Sequence, residues 1–81
     1  MIYVNLKNSA GIIASIARFE RAFLATWDLH IVGQREDKIT DTIQLAIDTK
    51  THDQDDLVQI LVRKYFADKV IGFQLAINNR G

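Results

Sequence analysis

Eighty-one residues, 48% of them hydrophobic and 25% charged, make one globular domain and leave no room for a second. Ten Lys and Arg balance ten Asp and Glu, so no global field exists to hold nucleic acid or an anionic membrane. The lack of Cys removes disulfides, thiolate metal sites and cysteine nucleophiles, and no apolar run approaches the roughly 18 residues of a membrane span.

A cytoplasmic chain is expected, since no basic segment precedes a short apolar stretch as in a signal peptide. Ile2, Val4 and Leu6 alternate with polar residues, the signature of a half-buried first strand. Ser9 is placed to cap a following helix, in which Ile12, Ile16, Phe19, Phe23 and Trp27 recur at steps of four and three while Arg18 and Arg21 fall elsewhere. That stripe predicts an amphipathic helix of about four turns. Leu29, Ile31 and Gly33 alternate as a second strand, and the polar stretch 33–38 predicts a hairpin connection. A third strand is expected within Ile39 to Asp48, with Ile43, Leu45 and Ile47 on one face. Asp53, Asp55 and Asp56 gather where a helix N-terminus favours negative charge, Leu57, Ile60, Leu61 and Tyr65 continue at helical spacing, and Arg63 and Lys64 suit its C-terminal end. Ile71, Phe73, Leu75 and Ile77 alternate as a fourth strand, and the tail 78–81 reads as frayed.

The order strand, helix, strand, strand, helix, strand is the ferredoxin-like βαββαβ pattern, an α+β fold. Its economical packing is a two-layer sandwich, with both helices on one face of a four-stranded antiparallel sheet. The other face is then open, and alternation assigns it Tyr3, Asn5, His30, Val32, Gln44, Ala46, Gln74 and Ala76. Amides, small residues, a Val and a Tyr, without charge in the middle, suggest burial against a partner, and a second copy is the default because closed homo-oligomers are common. A homodimer is expected. A plain solvent-facing sheet is the competing reading.

Catalysis is not expected, because no Ser/His/Asp arrangement and no carboxylate pair in a cleft can be argued. No cofactor or metal is expected either. His30 and His52 do not make a ligand pair by spacing, and the acidic segment 48–56 lacks the Gly and terminal Glu of a Ca²⁺ loop, so capping accounts for it. RNA stacking on the open face would need more than one aromatic residue and some Arg or Lys, and an acylphosphatase-type site would need an Arg in the turn 7–11.

That first turn nevertheless carries a resemblance. Asn8-Ser9-Ala10-Gly11-Ile12-Ile13, followed by Ile16 and Phe19, resembles the Asp-x-Pro-Gly-x-Leu turn that opens the first helix of ACT domains. Asp28-Leu29-His30-Ile31 is similar to the Asn-Ile-x-Ile segment at which their second strand begins. Asn8 stands where that family usually has Asp, and Ala10 replaces the Pro. The resemblance covers all 81 residues as topology and implies a non-catalytic regulatory module that pairs with itself and binds small ligands, commonly amino acids. It would place such a ligand against Asn8, Ala10, Gly11, Ile12, Ile13 and Asp28. Free N–H groups at a helix start can hold a carboxylate, although Gly11 can equally serve only to relieve packing. Asp41 to Leu45 and the helix after them also resemble the cytosolic ACT-like tail of MgtC/SapB-type membrane proteins. Met1 runs directly into a strand, which fits a domain taken from such a larger chain, with no membrane insertion of this segment itself. A pure assembly module without a ligand is the alternative.

Overall fold

Alternation along the first strand does what it predicts: in β1 (Ile2–Lys7) Ile2, Val4 and Leu6 are fully buried, and Tyr3 and Asn5 face the other way. The computed structural model describes residues 1–76, so Ile77 and the tail 78–81 lie outside the described residues. After β1 come α1 (Ile12–Phe19), a π-helical turn (Glu20–Leu24), a 3₁₀ turn (Ala25–Trp27), β2 (Ile31–Asp37), β3 (Thr42–Ile47), α2 (His52–Phe66), a second 3₁₀ turn (Ala67–Lys69) and β4 (Val70–Leu75). The four strands form one antiparallel sheet in the order β2-β3-β1-β4. This is the ferredoxin-like α+β arrangement, in which each helix connects two strands that are not neighbours.

Both helices contribute to one core with the same face of β1 and β3, which places them together on one side of the sheet. Each buried Leu, Ile, Val or Phe there stabilises the fold by about 1.5–3 kcal/mol relative to exposure. The first helical segment departs from a regular α-helix. Ala25 N–H donates to Glu20 O, an i→i+5 bond that adds one residue to the turn. The buried position after Ile12, Ile16 and Phe19 therefore becomes Leu24, while Phe23 and Trp27, expected on this stripe, are exposed. Phe23 still stacks on the Phe19 ring at 5.6 Å between centroids and meets Tyr65 edge-on.

The stripe of α2 also differs from expectation. Val58, Val62 and Phe66 are buried, Leu57, Leu61 and Tyr65 are only partly covered, and Ile60 is exposed. At its start Thr51 is the N-cap, its hydroxyl accepting from Gln54 N–H at 3.2 Å, while the Gln54 side chain accepts from Lys50 N–H at 2.7 Å. Of the acidic residues read as capping, Asp55 is buried and accepts a hydrogen bond from the Thr49 hydroxyl.

Strand β2 begins later and runs further than its apolar pattern suggests. The charged residues Arg35, Glu36 and Asp37 belong to the strand, and the connection is the turn 38–41, which leaves Ile39 97% exposed outside β3. Asp37 shapes that turn: its Oδ1 accepts from Ile39 N–H at 2.9 Å and Thr40 N–H at 3.3 Å. Those two backbone bonds, Thr40's first, hold the Asp37 carboxyl below the usual Asp range.

Candidate functional site

The helices cover one face of the sheet, and among the described residues no element covers the other. Cross-strand register fixes what stands there. Tyr3 lies opposite Ala46 and Gln74, Asn5 opposite Gln44 and Gly72. On the far side of β3, Ala46 faces Gly33, Gln44 faces Arg35, and Thr42 faces Asp37.

This set adds residues of β2 that alternation did not assign to the face, and His30, whose carbonyl accepts from Asp48 N–H at 3.1 Å, continues it before the start of β2. The register slips between Ile31 and Gly33, so Val32 is an extra, bulged residue, and every later residue changes face. Val32 also borders, with Ile13, Ile16 and Glu20, a hollow of about 350 Å³ between α1 and β2. His30 precedes β2, where its Nε2 lies 3.4 Å from Asp28 Oδ1 in an exposed pair. Gly33, Arg35 and Asp37 join the face from β2 and Lys7, opposite Thr42, from the end of β1, so its charges gather toward one end while its middle is uncharged. The shift had a readable signal: a Gly inside a strand pattern often marks a bulge. Ala76, whose N–H donates to Met1 O at 3.0 Å, continues the face past the end of β4.

At the centre the amides form a ladder across three strands. Gln44 Nε2 donates to Asn5 Oδ1 at 3.2 Å and to Gln74 Oε1 at 3.4 Å. Gly33 lies across from Ala46, and a Cβ at 33 would just reach contact with that of Ala46, at 3.4 Å. A shallow hollow of about 310 Å³ opens there beside Tyr3, Arg35 and Gln44. The surface is thus low in relief, half-buried before any partner arrives, and able to donate and accept hydrogen bonds through its amides.

The turn that opens α1 is built differently from its expected form. Gly11, not Ser9, is the N-cap, at φ +80°, and no side chain caps it. The Ser9 hydroxyl is buried without a partner among the described residues. Asn8 is held in place, its N–H donating to Asp41 O at 2.9 Å and its Nδ2 to Glu36 Oε2 at 2.9 Å. Of the residues expected to line a ligand there, Asn8, Ala10, Gly11 and Ile13 are accessible, but Ile12 is 2% exposed and belongs to the core. Asp28 stands at the opposite end of the helical segment, about 24 Å away by helical rise, where it closes the 3₁₀ turn at φ +57°. One copy of the chain therefore cannot bring Asp28 to the Gly11 turn.

Among the described residues no group of three His, Asp or Glu side chains is disposed to hold a metal ion, and no helix is long and apolar enough to cross a membrane. The sequence matches no protein-family model and has no match among curated proteins or solved structures.

Proposed function

We propose that this chain is a non-catalytic, ACT-like regulatory domain that pairs with a second copy through its open sheet face. In this reading it serves a larger protein, such as an MgtC/SapB-type membrane protein, from the cytosolic side. The observation that carries it is the uncovered amide ladder of Asn5, Gln44 and Gln74, set among Tyr3, Gly33, Ala46 and Gly72. A freely solvated sheet face more often carries Lys, Glu and Thr, whereas charge depletion with an aromatic residue is the composition of an interface centre. Arg35, Asp37 and Lys7 sit at the margin, where charges set orientation more than affinity. Ala46→Arg puts a guanidinium in the middle of the face, at a position whose side chain makes no core contact. The expected outcome in light scattering is a mass half that of the parent chain with an unchanged circular dichroism spectrum. An unchanged mass contradicts the reading.

The same family resemblance carries an amino-acid-type ligand at the Gly11 turn. A pure assembly module, with no ligand there, is favoured by two observations: Ile12 is buried and Asp28 lies a helix length away. An amide NMR titration with a panel of amino acids separates the two. Saturable shifts confined to residues 8–13 support the sensor, and a flat response supports the assembly module.

A further inference from the structure

The single Trp of the chain stands outside the core. The π-helical turn adds a residue that turns Leu24 inward, and Trp27 keeps 53% exposure at the end of the helical segment. An indole so placed leaves much of its apolar area in water, and π turns recur at functional positions.

Trp27 borders a hollow of about 200 Å³ at the end of the sheet where β2 begins and β3 ends. Two connections wall it: Trp27 to His30, leading into β2, and Asp48 to Lys50, leading out of β3, with Gln54 added from the first turn of α2. The walls are tied together by backbone hydrogen bonds. Asp48 N–H donates to His30 O at 3.1 Å, and Lys50 N–H donates to Gln54 Oε1 at 2.7 Å. Leu29, buried in the core, anchors the first wall from behind.

The polar groups around this hollow are unspent. Among the described residues the side chains of Asp48 and Lys50 and the indole N–H of Trp27 have no hydrogen-bond or ion-pair partner. Gln54 spends its oxygen on Lys50 N–H and keeps its NH₂ group. Asp28 and His30 stand at the rim, with Oδ1 and Nε2 3.4 Å apart. One aromatic plate is thus ringed by two carboxylate acceptors and by ammonium, amide and indole donors.

Their signs narrow the ligand. Two carboxylates disfavour an anion, Lys50 beside them disfavours an organic cation, and among the described residues no group of His, Asp and Glu is disposed to hold a metal ion. What fits is a neutral molecule whose hydroxyls both donate and accept, and whose apolar C–H face lies against an indole. We propose that this hollow binds the pyranose ring of a sugar, with Trp27 as the plate and Asp48, Lys50 and Gln54 as partners of its hydroxyls. The site lies at the far end of the helical segment from the Gly11 turn, and it rests neither on a ligand there nor on pairing through the open face.

Because Trp27 is the one Trp, its fluorescence reports on the hollow directly. The test titrates the chain with free hexoses, an N-acetylhexosamine and a disaccharide, and with glycerol as a polyol that has no ring face. The expected result is a saturable emission change with at least one sugar, with a millimolar dissociation constant, and amide NMR shifts confined to residues 27–30, 48–50 and 54. Asp48→Asn is expected to raise that constant about tenfold or more, while Asp56→Asn, an exposed carboxylate outside the hollow, leaves it unchanged. The same titration on the Ala46→Arg chain ensures that a second copy does not hide the hollow. No saturable response in either chain overturns the proposal, as does a response that glycerol reproduces or that Asp48→Asn leaves intact. Emission that changes on dilution of the protein but not with sugar also overturns it, and assigns Trp27 to a contact between copies.

Discussion

Gly11 and Ala67 hold left-handed or related backbone conformations, and only one of them is a glycine. Gly11 sits at φ +80° with nothing within 4 Å of where a Cβ would be, so its requirement is conformational rather than steric. Ala67, closing α2 at φ 52° and ψ −120°, occupies a region that a Cβ makes costly. The two substitutions should therefore have opposite signs. Gly11→Ala is expected to lower stability by on the order of 1 kcal/mol, and Ala67→Gly to raise it by a similar amount. In a domain of this size each corresponds to roughly 4–8 °C in melting temperature, measurable by thermal denaturation. Gly11 was legible as a special position from its place between a strand and a helix. Ala67 was not, because nothing in an Ala announces a positive φ.

Legibility of the elements divides along burial. β1 and β3 lie in the middle of the sheet with one face covered, so alternation gives their inward residues correctly. β2 is an edge strand whose second half passes beyond the cover of the helices, so both of its faces are polar there and 33–38 resembles a turn. Its bulge at Val32 shifts the alternation of every later residue, which is why Gly33, Arg35 and Asp37 stand on the open face. In α2 two adjacent apolar stripes compete, and periodicity alone does not say which of Leu57-Leu61-Tyr65 and Val58-Val62-Phe66 turns inward. The π turn is the clearest case of tertiary packing overriding the local pattern. It moves burial from Phe23 to Leu24, which is fully enclosed, while Phe23 keeps 36% exposure. Leu24→Ala is accordingly expected to cost about 2–5 kcal/mol in chemical denaturation. Phe23→Ala, despite the larger side chain, is expected to cost less than half as much as Leu24→Ala. Equal losses at the two positions would mean that the helix continues through residues 20–24 without the π turn.

For the whole molecule, the fold follows from the order of its elements, and the surfaces follow from what that order leaves uncovered. Two helices shield one face of a four-stranded sheet, and among the described residues the amide face remains. The turn at Gly11, where the family resemblance begins, lacks the convergence of residues that a ligand site within one copy requires. Assembly is therefore the account's central claim, with the open face at its heart. The most direct measurement is an amide NMR spectrum of the isotope-labelled chain followed through dilution from millimolar to micromolar concentration. The amides of Tyr3, Asn5, Gln44 and Ala46 are expected to move together along one saturable curve. Open-face amides that stay fixed across the whole series would contradict it.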